Sequence, residues 1–337
     1  MKFPDTKYMG SKQAFLPFIV NHISRLRFET ALDAFSGSSC VAYALKQMDK
    51  RVFANDFLKL GYHLAKATIE NNTTTLNNED IAFLISRNPK AGNFIQRKFK
   101  ELYFSDEDCR FLDNAYANIM LLKSHLKRSL ALSALCRACM KKRPRGIFTF
   151  VGCKGWDGRK DLKISMQDQF SNAISLLNSA VFTNGKKNRA FCSDVFDLSP
   201  RGIDLVYLDT PYVSPHSDCD YTRRYHFVEG LCSYWHGLEI QDNTVTKKIK
   251  SYPTAFKSTK TINDAFYNLF NHFKNSIIVV SYGSNGIPNK NEMVKLLKYF
   301  KKKVEVYGIS HKYSFGNHGH KIGNNNNNVT EYLFIAK

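Results

Sequence analysis

Asp204-Leu205-Val206-Tyr207-Leu208-Asp209-Thr210-Pro211-Tyr212 is the most telling run in this chain. An apolar segment short enough for a strand ends in an acid, a proline-stiffened turn and an aromatic ring. Such a segment is buried on both faces, as in the centre of a parallel sheet. In open α/β sheets, ligands bind at the carboxyl edge that this strand delivers its acid to. Outward from it, further β-branched or aromatic runs fall at 30–34, 51–54, 189–192, 276–282, 303–309 and 329–336. Amphipathic stretches at 40–48, 58–71, 166–180, 262–273 and 291–300 lie between most of them. This alternation predicts a mainly parallel sheet covered by helices. The last two strands are separated by glycines and the run Asn324 to Asn328, with no helix, so they are expected to form an antiparallel pair. The Asn run itself reads as a disordered loop.

One interval breaks the rhythm. Residues 73–188 carry mostly helical pattern with basic punctuation, far more chain than a simple crossover needs. The reading is therefore a catalytic, ligand-binding domain from 1–72 and 189–337 with an inserted helical module at 73–188. The densest basic stretch of the insert is Met140-Lys141-Lys142-Arg143-Pro144-Arg145-Gly146, followed by Phe148 and Phe150. Lys154, Trp156 and Arg159 then stand among glycines. Loops of this composition reach phosphates and wedge between bases. A solvated helix end and a surface loop account for the same residues equally well.

Charge narrows the partner. A formal net charge of +20 over 337 residues favours a polyanion, since neutralising phosphates releases counterions. The basic residues are spread widely rather than gathered on one amphipathic helix, which favours nucleic acid over a membrane surface. No apolar run approaches the roughly 18 residues of a membrane span, and Met1 to Asp5 open without a signal core. The eight cysteines, irregularly spaced, read as reduced cytosolic thiols.

Two turns carry the rest of the chemistry. Asp33-Ala34-Phe35-Ser36-Gly37-Ser38-Ser39 follows the first strand and opens a helix, where small residues let a ligand approach the backbone. About 20 residues on, Asp56 ends the next strand, where an acid can accept hydrogen bonds from ribose hydroxyls. Capping the following helix is its other ordinary role. At the third site, a carboxylate at Asp209 could accept a proton from the amino group of an aromatic base. A backbone carbonyl would accept the second, favouring a tetrahedral, nucleophilic nitrogen. Pro211 fixes the turn without an N–H of its own, and Tyr212 could stack on a base extruded from a duplex.

Taken in order, these motifs resemble the Dam-like adenine-specific DNA methyltransferases. The resemblance rests on Lys7-Tyr8-Met9-Gly10-Ser11-Lys12, the Asp33 to Ser39 turn, Asn55-Asp56-Phe57 and Asp209-Thr210-Pro211-Tyr212. It extends to Tyr221-Thr222-Arg223-Arg224-Tyr225-His226-Phe227-Val228-Glu229 and Ser281-Tyr282-Gly283-Ser284-Asn285-Gly286, while the insert matches loosely. It implies a Rossmann-like class I methyltransferase fold, with a seven-stranded, mainly parallel sheet whose last strand is reversed. S-adenosylmethionine is the implied cofactor. Tyr8, Lys12, Asp33, Phe35, Ser36, Gly37, Asp56 and Asp194 are implied to hold it. The implied catalytic set is Asp209, Thr210, Pro211 and Tyr212. The insert is implied to recognise the DNA sequence, which places Lys141, Lys142, Arg143, Arg145, Lys154 and Arg159, with Arg223 and Arg224, against duplex DNA. A cognate restriction endonuclease, a monomer or weak dimer on DNA, and a cytoplasmic, nucleoid-associated location complete the expectation.

The chain departs from the family twice. Ser39 stands where a second Gly is usual, which is harmless only if that residue has an ordinary negative φ. Thr210 stands where Pro is usual, which keeps the carbonyl but adds an N–H and frees φ. Other signals are set aside. Cys136 and Cys139 share a helix face and read as small hydrophobes. His318 and His320 lack carboxylate or Cys partners nearby, so no metal is expected. His226 and Glu229, three apart on a helix, suit either a DNA cleft or an ordinary surface pair. No Pro-Cys pair occurs, which argues against attack on a cytosine ring carbon through a thiolate. Enzymes acting on the cytosine amino group typically carry Ser at the place of Asp209. The rivals left standing are cytosine amino-group or RNA methylation, and a non-catalytic DNA-binding protein that kept the fold.

Overall fold

The structure, a computed structural model, describes residues 3–4, 6–152, 160–213, 220–312 and 328–337. Its strands are β1 (Thr30–Asp33), β2 (Arg51–Asp56), β3 (Arg189–Cys192), β4 (Leu205–Leu208), β5 (Ile277–Gly283), β6 (Val304–Lys312) and β7 (Asn328–Ala336). They form one sheet in the order β3-β2-β1-β4-β5-β7-β6. The first five are parallel, whereas β7 inserts between β5 and β6 antiparallel to both. This is the Rossmann-like methyltransferase sheet with a reversed end. All of Leu205 to Leu208 is buried, as a central strand flanked by β1 and β5 requires. Chain order reverses between β1 and β4, so the loops leaving them diverge and open a crevice above their carboxyl ends.

Helices α1 (Leu16–Ile23), α2 (Cys40–Gln47) and α3 (Lys59–Ala65) belong to the first half of the chain. The helix expected over 58–71 is α3 followed by a π turn, Lys66–Glu70. Between β2 and β3 the crossover is expanded by α4 (Asn78–Ile85), α5 (Phe94–Phe99), α6 (Asp106–Leu121), α7 (His125–Lys141) and α8 (Met166–Asn178). After β4 come α9 (Tyr221–Leu231), α10 (Ile262–His272) and α11 (Lys290–Lys298). Two apolar clusters cover the faces of the sheet. One is built on α10 and α11 with Leu32, Val206, Ile278 and Phe334. The other joins α1 and α2 to Ala31, Leu205, Val279 and Leu333.

The third cluster fills the helical interval and is not closed on itself. It takes in Leu60 and Leu64 of α3, Tyr225, Phe227, Val228 and Leu231 of α9, and Trp235 and Ile249 beyond. The helical layer thus extends past the interval drawn from the sequence, because α9 supplies part of its core. Helix α7 runs through the middle, with every residue from Ser129 to Met140 buried except Arg137. Cys136 and Cys139 are buried there, and Cys136 Sγ lies 3.7 Å from Cys232 Sγ. Among the described residues, no helix is long and apolar enough to cross a membrane.

Candidate active site

Above the carboxyl ends of β1, β2 and β4 lies a cavity of about 1030 Å³. Its walls include Tyr8 and Lys12, the turn from Asp33 to Ser38, Asp56 and Phe57, Asp209 to Tyr212, Asp220 to Thr222, and Asn285. Segments distant in sequence are therefore brought together, by the ends of strands and by the N-terminal segment laid across them.

The turn after β1 is held by its neighbours rather than by itself. Asp56 Oδ2 accepts from Gly37 N at 2.6 Å, and its Oδ1 accepts from Leu58 N at 2.8 Å. Asp56 thus lines the cavity and holds the turn into α3, but it is not the N-cap of that helix, a place Leu58 takes. Gly61, one turn into α3, leaves room for it, since a Cβ there would lie 2.5 Å from Asp56 Cγ. Gly37 has φ +46, and a Cβ on it would lie 3.0 Å from the Tyr8 ring. Tyr8 stacks in turn on Tyr225, with ring centroids 4.8 Å apart. Asp33 is 1% exposed; its Oδ2 accepts from Ala42 N at 3.1 Å, and its Oδ1 has no partner among the described residues. Burial, reinforced by the charges of Asp209 and Asp56, pushes its carboxyl up to about 8. Burial likewise raises Asp56 to about 6.

Ser39 does not meet the condition set for it. Its φ is +63, the left-handed region where the family's glycine costs nothing. Its hydroxyl is buried and, among the described residues, unpartnered, although it stands at the N-cap of α2.

At the end of β4, Asp209 keeps 19% of its side chain exposed. Its Oδ1 lies 3.1 Å from Lys12 Nζ and 3.2 Å from the Tyr212 hydroxyl. No partner of its Oδ2 is found among the described residues. Lys12 Nζ also lies 3.0 Å from Glu331 Oε1 and donates to the Tyr212 hydroxyl at 2.5 Å. The Tyr212 hydroxyl faces two acceptors with its single proton, Glu331 Oε1 at 2.6 Å and, more distantly, Asp209 Oδ1. Burial lifts Asp209 to about 6, opposed by the Lys12 charge and assisted by that of Glu331. Thr210 is 2% exposed, and its hydroxyl has no partner among the described residues. The Tyr212 ring packs against Tyr282, centroids 4.7 Å apart, while one part of it borders the cavity.

Sequence reasoning passes over Glu331 although a signal exists. It stands on the same face of β7 as Leu333 and Ile335, which are 1% and 2% exposed, and a charge on such a face must be paired.

Several expected site residues are corrected. Arg143 is 1% exposed, and its guanidinium donates to the carbonyls of Tyr103, Phe150 and Gly152. It folds the loop after α7 and is unavailable to phosphates. Lys141 pairs with Asp161 at 3.2 Å and Lys142 with Asp108 at 3.0 Å, so the basic run is largely neutralised within the protein. Phe148 is buried on Phe227, whereas Phe150 remains 47% exposed. Asp194 does not line the cavity; it caps the short turn Val195–Asp197, accepting from Phe196 N at 3.0 Å. His226 and Glu229 are both fully buried rather than at a cleft or surface. Glu229 accepts from Lys59 N and Leu60 N, each at 3.0 Å, and so caps the positive end of α3. Burial lowers His226 to about 4, keeping it neutral beside Tyr103 and the Phe148 carbonyl. Arg145 and Arg224 line the cavity, and Arg223 is exposed on the first turn of α9. Lys154, Trp156, Arg159, His318 and His320 lie outside the described residues, as does the Asn run up to Asn327.

The chain is similar to the type II methyltransferase M2.HphI of Haemophilus parahaemolyticus, 28% identical across all of this chain and 98% of that protein. It is also 28% identical to modification methylase StsI of Streptococcus sanguinis, over 87% of this chain and 46% of the relative. Against the type II methyltransferase M.FokI of Planomicrobium okeanokoites the identity is 25%, with the same 87% and 46% covered. The chain therefore spans nearly the whole of one relative and just under half of two others. Residues 8–285 match one family throughout, and that stretch contains all the cavity walls named above: the chain belongs to the D12 class N6 adenine-specific DNA methyltransferases.

Proposed function

We propose that this protein transfers a methyl group from S-adenosylmethionine to the exocyclic amino nitrogen of adenine in duplex DNA. The observation that carries the reading is Asp209 at the cavity: one oxygen is tied to Lys12 and the Tyr212 hydroxyl, and the other has no partner among the described residues. That second oxygen would accept a hydrogen from an amino group, and the Thr210 carbonyl is the candidate acceptor for the other. With both hydrogens held, the nitrogen lone pair is freed from the ring and becomes nucleophilic. Tyr212 and Pro211 would sandwich the extruded base, which cannot reach such a depth inside a duplex.

The cofactor, when bound, supplies an electrophilic methyl carbon on a positively charged sulfur. The residues present fit such a molecule. Asp33 Oδ1 and Ser36 Oγ are buried acceptors at the cavity, unpartnered among the described residues, and Gly37 lets the Tyr8 ring lie close against the turn, where a Cβ would meet it at 3.0 Å. Asp56 would take ribose hydroxyls with the lone pairs that Gly37 and Leu58 leave over. Phe35 and Tyr8 supply apolar walls, and Lys12 borders the same space.

For the DNA, Arg145, Arg223 and Arg224 at the rim are proposed to meet phosphates, with the helical layer around α7 choosing the sequence. Relatives named as type II methyltransferases and modification methylases support a place beside a restriction endonuclease of matching specificity, with the enzyme acting as a monomer or weak dimer. The test is transfer of labelled methyl to duplex DNA followed by digestion to nucleosides. N6-methyladenine is expected, and Asp209→Ala is expected to abolish it while the protein still folds, because Lys12 retains Glu331. Label on cytosine, label on RNA only, or unchanged transfer by the Asp209 variant would overturn the reading.

A further inference from the structure

Glu331 lies on β7, beyond residue 285 where the family match ends. It is 2% exposed, and its Oε1 gathers three donors: Lys12 Nζ at 3.0 Å, the Tyr212 hydroxyl at 2.6 Å and Ser281 Oγ at 2.9 Å. The register of the sheet accounts for its reach. Glu331 sits opposite Gly283, which has no side chain to block it, and diagonal to Ser281 on the same face. Two of its three donors are also those that hold Asp209 Oδ1.

We infer that Glu331 is a positioning residue for methyl transfer: by sharing Lys12 and Tyr212 with Asp209, it confines them to one oxygen of Asp209 and leaves the other for the amino group. The inference rests on the methyl-transfer reading above. Without a second carboxylate on the far side, a buried ammonium is drawn more closely over both oxygens of the carboxylate that remains. That arrangement would cover the oxygen the base needs. A second carboxylate on the far side holds the ammonium back. The same pull acts on the Tyr212 hydroxyl, whose ring must stand where the base will lie.

Charge provides a readout that a purely structural role would not move. Among the described residues, the groups that act on Asp209 are Lys12 from the N-terminal segment, Glu331 from β7, Asp33 at the end of β1, Tyr207 on β4, Tyr212 on its own turn, and Cys40 at the start of α2. Removing the Glu331 charge takes a negative neighbour from Asp209 and a competitor for Lys12, so Asp209 stays ionised to lower pH. The midpoint of Asp209 is read by carboxyl carbon NMR on labelled protein, assigned with Asp209→Asn. Single-turnover methyl transfer is measured in parallel.

Glu331→Gln is expected to lower the Asp209 midpoint and to slow transfer by about 10- to 100-fold, the cost of a misplaced reacting group. Glu331→Asp keeps the charge but is one methylene short. It should slow transfer while leaving the midpoint near that of the wild type, and it serves alone if the Gln variant does not fold. Wild-type rate and midpoint in either variant that should change them, or equal lowering of the midpoint by both, would overturn the inference; the last would mean simple loosening. If the wild type modifies no adenine, the proposed function falls, while the carboxyl titration still reports whether Glu331 shares Lys12.

Discussion

Replacing Ser39 by Gly should stabilise the protein. With φ +63 and ψ 15, Ser39 holds a left-handed conformation that costs a non-glycine residue about 1–2 kcal/mol. Glycine loses about 0.5–1 kcal/mol of this again through the freedom of its unfolded chain. The hydroxyl adds a second term. It is buried without a partner among the described residues, a loss of about 1–3 kcal/mol, offset by roughly 1 kcal/mol of packing that the side chain provides. The balance favours glycine by about 1–2 kcal/mol. For a chain of 337 residues, that is a rise in Tm of about 2 °C, scaled from the entropy of unfolding per residue. Thermal or denaturant unfolding of three variants decides it. Ser39→Gly should be more stable than wild type, Ser39→Ala should recover only the hydroxyl part, and Ser39→Val should be less stable, since a β-branched residue tolerates this region worst. Ser39 does not line the cavity, so cofactor affinity should not change. A glycine variant no more stable than wild type would refute the cost assigned to this φ.

Two further outcomes follow from the same loop. Gly61→Ala would place a Cβ 2.5 Å from Asp56 Cγ, displacing a carboxylate that two backbone N–H groups hold. Cofactor binding by calorimetry should weaken about 10-fold or more, equivalent to at least about 1.4 kcal/mol; affinity within about twofold would count against Asp56 as a cofactor ligand. Asp33 titrates near 8 in the fold against an ordinary 3.8, so the native state keeps a proton that the unfolded chain releases. Its contribution to stability therefore declines as pH rises from about 4 to about 8. Asp33→Asn should remove that decline, gaining on wild type in denaturant unfolding at about pH 9 and not at about pH 4. A pH-independent difference would show that Asp33 is not buried as a neutral acid.

The sheet is legible in the sequence because its signals are local. Strands such as Ile277–Gly283 are short apolar runs bounded by turns, and a segment of glycine and asparagine too polar to pack announces the reversed pair. The turns of the site are legible for the same reason: acid, proline and glycine are disfavoured inside strands, so together they mark where a strand ends. What escapes is set by partners distant in sequence. The run from Lys141 to Arg145 reads as a basic surface, and only the fold reveals that Arg143 faces buried carbonyls and that Lys142 faces Asp108. Glu229 and His226 look like helix-face polar groups until α3 and Phe148 are brought against them. In each case a charged or polar group that the sequence assigns to solvent or DNA has a protein partner in the interior.

The same distinction separates the two uses of charge in this chain. An excess of +20 suits a surface that meets a polyanion, yet the cavity is lined by Asp33, Asp56 and Asp209, with Glu331 buried against Lys12 and Tyr212. Burial raises the titration of Asp33, Asp56 and Asp209, whereas Asp220, also at the cavity, is held below its ordinary range, despite its burial, by Lys257 and Ser251. Lys12 compensates one charge and is itself divided between two acids. Lys7, Arg145, Arg224 and Lys257 also line the cavity, but the ion pair found at Asp33, Asp56 and Asp209 among the described residues is that of Lys12, and the proposed cofactor would bring a second positive charge there. Asp33 Oδ1 and Asp209 Oδ2 have no donor among the described residues, and an amino group provides one. Basic residues can draw DNA in over long range, and in the proposed mechanism the buried acids hold the amino nitrogen with its hydrogens accepted and its lone pair free. The net charge thus suits a polyanionic partner, and the buried acids suit the proposed chemistry.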